Sequence, residues 1–197
     1  MPQVSKGELR VFKQRTAKLE KAVPTLDLRR KQLTRELLVW EERLAELKKK
    51  RHELAERMKE NPHPEIDRMV TVKGVRMADV NIAGVMLKEL ESVEFAIAPY
   101  SLIMTPPSFD QFVSLKSRFL EAEESVKAME ESLARLLDEL AVTTQRINLF
   151  EKRLIPDYEE SIRYIRGRLE DNERSSVIVA KIAQAALLGK QDTFESA

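Results

Sequence analysis

Apolar residues recur at alternating spacings of three and four along the first sixty positions: Leu9, Phe12, Leu19, Val23, Leu26, Leu33, Leu37, Trp40, Leu44, Leu47, Leu54 and Met58. Thr16, Arg30 and Arg51 interrupt that frame. A second frame holds from Phe112 through Leu115, Phe119, Ala122, Val126, Met129, Leu133, Leu136, Leu140, Thr143, Ile147, Phe150 and Leu154. A 3.5-residue repeat sustained this long predicts left-handed supercoiled helices whose seam faces another helix. The stretch between the frames has other chemistry. Met69 to Met77 is β-branched and alternates around Gly74, which predicts a short hairpin or strand pair, and Val80 to Val85 reads as a further extended piece. The predicted fold is all-α: a long antiparallel two-helix coiled coil with a short β-hairpin or irregular head at its turn. The expected divisions are a helix over 1–60, a head over 61–107, a helix over 108–188 and a flexible tail over 189–197.

Local signals refine this layout. Ser5 followed by Glu8, and Ser108 followed by Gln111, have capping-box spacing. Asn61-Pro62-His63-Pro64 ends the first helix, and Thr105-Pro106-Pro107 closes the middle. Pro24 lies inside the first frame, which passes it without slipping, so a kink is expected and not a loop. Beyond Leu154 the seam continues at Tyr158, Ile162, Ile165 and Leu169. Two successive spacings of four make a stutter, which unwinds a supercoil locally, and Pro156 sits within it. Pairing Met58 near Phe112 places Pro156 near residue 14 and Pro24 near residue 146, so the helix pair is expected to bend or loosen there.

Charge is unevenly spread although the net is only +1. Residues 1–60 carry 17 Lys/Arg against 10 Asp/Glu, and residues 108–197 carry 13 against 17, so the two helices suit each other as antiparallel neighbours. Lys48-Lys49-Lys50-Arg51 is the sharpest basic run; it is expected to pair with the acidic last helix, the alternative being contact with phosphates. No cysteine is present, which excludes disulfides and thiolate metal sites. His52 and His63 are too few for a histidine metal site, and the five glycines form no phosphate loop. The carboxylate pairs Glu41-Glu42, Glu123-Glu124 and Glu159-Glu160 read as solvated helix faces. No catalytic residue, cofactor or metal is therefore expected. The polar start lacks a signal-peptide core, and no run has the ~20 apolar residues of a membrane span; a cytoplasmic protein reaching a membrane only through partners is expected. Thr143 and Asn148, polar and close to the seam, either set register or mark a docking surface.

Thr144-Gln145-Arg146-Ile147-Asn148-Leu149-Phe150-Glu151-Lys152-Arg153-Leu154-Ile155-Pro156, followed by Ile162-Arg163-Tyr164-Ile165, closely resembles the C-terminal signature of the D subunit of V-type and archaeal-type rotary ATPases. Within it the family-motif positions are Arg146, Asn148, Glu151 and Pro156. Asn81-Ile82-Ala83-Gly84-Val85, Tyr100-Ser101-Leu102 and Thr105-Pro106-Pro107 resemble the family's central segment, and Ala180-Lys181-Ile182-Ala183 its end region. The first helix agrees in kind, at Lys6, Leu9, Phe12, Lys13, Leu19 and Arg30-Lys31-Gln32-Leu33, but departs at Pro24-Thr25.

The resemblance implies a central-stalk rotor protein, itself non-catalytic. Its expected partners are the small F subunit of the central stalk, the catalytic A and regulatory B subunits of the head hexamer, and the funnel-shaped C subunit (called d in eukaryotes) on the membrane ring. It implies no nucleic-acid partner and no direct membrane insertion. The paired ends, roughly 3–25 and 155–185, are expected to enter the head. Lys6, Arg10, Lys13, Arg163, Arg166 and Arg168 are the candidates for contact with acidic head loops. The hairpin residues Val70, Val72, Gly74 and Val75 are candidates for modulating ATPase rate. The competing readings are an unrelated coiled-coil scaffold and a basic helical arm that binds RNA.

Overall fold

A computed structural model of the chain describes residues 4–60, 68–100 and 109–195, with side chains through residue 184. The expected helix-ending Asn61–Pro64 segment, the Thr105–Pro107 closure and the Ser108 cap lie outside the described residues. The protein is mostly helical, with elements in the order α1 (Lys6–Glu60), β1 (Val70–Ile82), β2 (Val85–Ile97), α2 (Phe109–Leu149), a π-helical turn (Phe150–Leu154) and α3 (Ile155–Glu195). The contacts divide the chain into two units, residues 28–144 and residues 1–27 with 145–197.

The unit of residues 28–144 is built on an antiparallel helix pair. Leu33, Leu37, Trp40 and Leu44 of α1 meet Val126, Met129 and Leu136 of α2 in one buried cluster. These are the seam positions of the two frames. Direction and register show in the flanking ion pairs, Arg29–Glu139 at 2.8 Å and Lys48–Glu130 at 2.8 Å. Lys48 of the basic run thus faces the acidic helix, as its composition suggests.

The hairpin departs from expectation in two ways. Its strands are thirteen residues each, and they turn at Ala83–Gly84, not near Gly74. Val70, Val72, Gly74 and Val75 all belong to β1; Gly74 follows a bulge at which Lys73 has no cross-strand partner. A second bulge leaves Glu91 of β2 unpaired. The hairpin also lies along the helices and is not mounted beyond them. Val70 at its base packs with Phe109 and Val113, Leu87 is fully buried in the Trp40 cluster, and the tip reaches Arg29 and Glu139. The lengths agree: a thirteen-residue strand spans about 43 Å, and α2 from Phe109 to Glu139 about 45 Å. A two-stranded ribbon is marginal alone in water, so this packing is what holds it.

Ala83 (φ 50°) and Gly84 (φ 82°) both lie in the left-handed region, the geometry of a type I′ hairpin turn. The Gly84 amide donates to Asn81 Oδ1 at 3.0 Å, which fixes the turn. A side chain is disfavoured at such a φ, so Gly84→Ala is expected to destabilise unit 28–144 by about 1–2 kcal/mol, measured by urea unfolding. Ala83→Gly in the same assay is expected to cost less than Gly84→Ala.

In the other unit, the Ser5 hydroxyl accepts the Glu8 amide at 3.1 Å and caps α1. The helix then runs through Pro24 without a break. Phe12 meets Tyr158 edge-on with centroids 5.6 Å apart, which puts Pro156 near residue 14 as the pairing argument requires. Thr16, the polar interruption of the first frame, is buried and donates its hydroxyl to the Phe12 carbonyl at 3.0 Å. Ile147 and Ile165 are also buried.

The stutter becomes the π turn. The Ile155 amide bonds to the Phe150 carbonyl, five residues back. One residue more than an α turn is taken up there, which is what carries the seam from Phe150 to Tyr158 in eight residues where two heptad half-steps take seven. Pro156 directly follows, where its missing amide withdraws one helical bond. Helix α3 runs to Glu195, through residues where the sequence reads as a tail.

Candidate partner-binding groove

Within the unit of residues 1–27 and 145–197, one face of α1 and one face of α3 form an open groove of about 700 Å³. Lys6, Leu9, Arg10, Lys13, Gln14 and Ala17 supply one wall, and Arg166, Leu169, Glu170 and Glu173 the other. The spacings of three and four are those of one helical face. Leu9, Ala17 and Leu169 give it an apolar floor, and the charged residues form its rim. Lys6 bridges Glu173 at 3.0 Å, with both side chains largely in solvent (78% and 63% exposed). Among the described residues Arg10, Lys13 and Arg166 have no ion pair, so the rim presents net positive charge.

Four of the six cationic candidates therefore converge: Lys6, Arg10, Lys13 and Arg166. Arg163 and Arg168 are exposed but do not line the groove. Arg168 instead lies over the Tyr164 ring at 5.7 Å. Residue 168 is two positions from 166 and points to another face, whereas Arg163 shares the phase of Glu170 and lies one turn before the lining residues.

The family-motif side chains Arg146, Asn148, Glu151 and Pro156 are all exposed around the π turn. Asn148 is thus no seam residue, whereas Thr143 is 1% exposed and is one. Among the described residues, none of the groups with displaced pKa values lines the groove. Lys59 holds the Glu56 carboxyl low, and Glu124 holds the Lys127 ammonium up. A hydrogen bond to the Asp110 carboxylate raises the Tyr100 phenol, and Tyr164 raises the Arg168 guanidinium.

Sequence reading missed the surface beside the groove. Every described side chain from residue 171 to residue 184 is exposed. Val177, Ile178, Val179 and Ile182 are 55–66% exposed and cover roughly half the circumference of α3. Contiguous exposed apolar surface of this kind marks an interaction site. The heptad frame stops at Leu169, and the clustered Val-Ile-Val that follows was its available signal. Among the described residues no group of three or more His, Asp or Glu side chains could hold a metal ion. No described helix is long and apolar enough to cross a membrane.

Two long helices, a strapped hairpin and an uncovered apolar helix end define a helical component of a larger assembly. The chain matches the family model of the ATP synthase D subunit over residues 8–185 and belongs to that family. It is 27% identical to a V-type ATP synthase D subunit of Borreliella burgdorferi, over 95% of each chain. It is likewise 27% identical to one of Chlamydia pneumoniae, over 92% of this chain and 90% of the other. An A-type ATP synthase D subunit of Methanoregula boonei is 30% identical over 56% of this chain and 55% of its own. ATP synthesis and ion transport fit the complex to which this family belongs.

Proposed function

We propose that this chain is the central-stalk rotor of a V/A-type rotary ATPase, a non-catalytic component that transmits torque between the ATP-hydrolysing or ATP-synthesising head and the ion-translocating membrane ring. The observation that carries this reading, beyond family membership, is the bare end of α3. Val177, Ile178, Val179 and Ile182 are more than half exposed in the isolated chain, and burying what remains of each stabilises an assembly by about 1–2 kcal/mol. A surrounding head hexamer of A and B subunits offers that burial. The helix pair is read as a coiled coil, which resists twisting better than a single helix.

The groove supplies a second kind of contact. Exposed cations in aqueous surroundings contribute only about 0–1 kcal/mol each. A rotor that meets several head states in turn needs contacts that shift with small differences in energy. The F and C (d) subunits are the proposed partners outside the head, and the protein is peripheral to the membrane through the complex.

The test is affinity purification of the tagged chain from gently solubilised membranes of its host. A nucleotide-binding hexamer and a small stalk partner are expected in the eluate. Recovery of the chain alone, or with RNA released by high salt, rejects the rotor in favour of a scaffold or an RNA-binding arm. The hairpin is also proposed to modulate turnover. Deleting residues 70–97 in the assembled complex is expected to change the ATPase rate severalfold, and unchanged turnover counts against that role.

A further inference from the structure

We propose that Arg29 is a clasp: it holds the hairpin onto the helix pair and so fixes the axial register of α1 against α2 in the unit of residues 28–144. Its side chain ties three elements together. Nε donates to the Ala83 carbonyl at 3.1 Å, and the Nη2 group donates to Glu139 Oε1 at 2.8 Å. Arginine suits this task because its planar fork holds two acceptors in fixed directions, which a lysine ammonium does not. Both side chains of the ion pair are only about a third exposed (30% and 33%), so screening is weaker than at a free surface.

The seam beneath explains why a clasp is needed. Leu33, Leu37, Trp40 and Leu44 against Val126, Met129 and Leu136 are non-directional contacts, and an apolar seam alone specifies register poorly. The hairpin adds directional contacts to this unit. Ser132 Oγ accepts the Lys88 amide at 3.0 Å and donates to the Lys88 carbonyl at 2.7 Å, tying β2 to α2. Ser132 is 1% exposed and Ala128, one turn earlier, 3%; their small side chains let the strand backbone come this close.

The tip is shaped for the same purpose. Ala83 accepts a left-handed φ that alanine disfavours, and its carbonyl is thereby offered to Arg29. The hairpin thus links α1 through Arg29 and α2 through Ser132, and Arg29 joins α2 directly at Glu139. Sliding one helix past the other would break these ties. In the rotor reading, on which this last step rests, the hairpin is a strap that stiffens the shaft against axial slip.

The test is hydrogen exchange of the full-length chain, which requires no partner. In Arg29→Met, which keeps the apolar stem, amide exchange over residues 83–90 is expected to speed up at least tenfold while far-ultraviolet circular dichroism stays unchanged. Acrylamide quenching of Trp40, the chain's single tryptophan and 2% exposed in the cluster against which Ala83 packs, is expected to rise with it. Arg29→Lys retains one charge contact and is expected to fall between. Glu139→Gln keeps an acceptor and is expected to remain near wild type. Wild-type exchange over 83–90 in folded Arg29→Met overturns the clasp. If Arg29→Met does not fold, exchange in Arg29→Lys decides, and wild-type rates there overturn it equally. Failure of the rotor reading shows separately, as loss of co-purification in the unmodified chain.

Discussion

Replacing Trp40 by alanine is expected to destabilise the unit of residues 28–144 by about 3–5 kcal/mol, the range for removing a large aromatic side chain from a packed interior. Trp40 is 2% exposed and sits among Leu33, Leu37, Leu44 and Leu87, with Val126, Met129 and Leu136 across the seam. A helix pair has a line of contacts and not a ball, so the void has few neighbours able to collapse into it. Circular dichroism during urea unfolding reads the loss, and Trp40→Phe is expected to recover more than half of it. Leu28→Ala and Leu38→Ala are the contrast. Both residues are apolar and on α1, yet 63% and 56% exposed, and each change is expected to stay within about 0.5 kcal/mol. A Trp40→Ala midpoint equal to that of Leu38→Ala would show that the seam is not the stabilising core.

The same contrast shows what the sequence makes visible. Leu33, Leu37, Trp40, Leu44 and Leu54 fall in the first frame, and Ala122, Val126, Met129, Leu136, Thr143 and Ile147 in the second; all are buried. A period of 3.5 carries that information because burial on a helix is directional. Even the slip after Leu154 is legible, since eight residues between Phe150 and Tyr158 demand an extra residue somewhere, and the π turn supplies it. The second buried face of α2 has no such signature. Val113, Ala128 and Ser132 lie off the frame, and a serine that receives a strand backbone looks like any surface serine in a sequence.

The hairpin was half legible for a related reason. Its β-branched residues announce a strand, but the turn falls at Ala83-Gly84, which lacks the Asn-Gly or Asp-Gly pair that marks such turns most clearly. Gly74, the glycine inside the β-branched run, lies beside a bulge and not at the turn. Where the ribbon packs was invisible, because its anchors are two isolated buried side chains, Val70 and Leu87, with hydrogen bonds to a serine and an arginine. The groove was legible as charge and not as geometry. Six cations were selectable from the sequence, but helical phase separates only Arg168 from the four that share a rim, and Arg163 is separated by its place along the helix.

That separation leads to the second large effect. Changing Lys6, Arg10, Lys13 and Arg166 together to glutamine is expected to weaken the coupling between ATP hydrolysis and ion flow in the assembled complex. Each exposed charge contact is worth about 0.2–1 kcal/mol, so four lost together remove about 1–4 kcal/mol, or roughly 5- to 700-fold in the affinity of this end for an acidic surface. The chain itself is expected to fold normally, because the one ion pair lost among the described residues, Lys6–Glu173, is largely in solvent. Raising salt is expected to reproduce part of the defect in the wild-type complex, since a shorter Debye length screens the same charges. Arg163→Gln with Arg168→Gln is the control: it removes two cations from α3 but none from the groove, and is expected to reduce coupling much less. Val177, Ile178, Val179 and Ile182 are unchanged in both variants, so under the proposed function the chain is expected to stay in the complex while coupling falls. Ion pumping per ATP measured in reconstituted vesicles distinguishes the cases. Full coupling in the fourfold variant removes the groove from the transmission path, and an equal loss in the control shows that placement in the groove is not what matters.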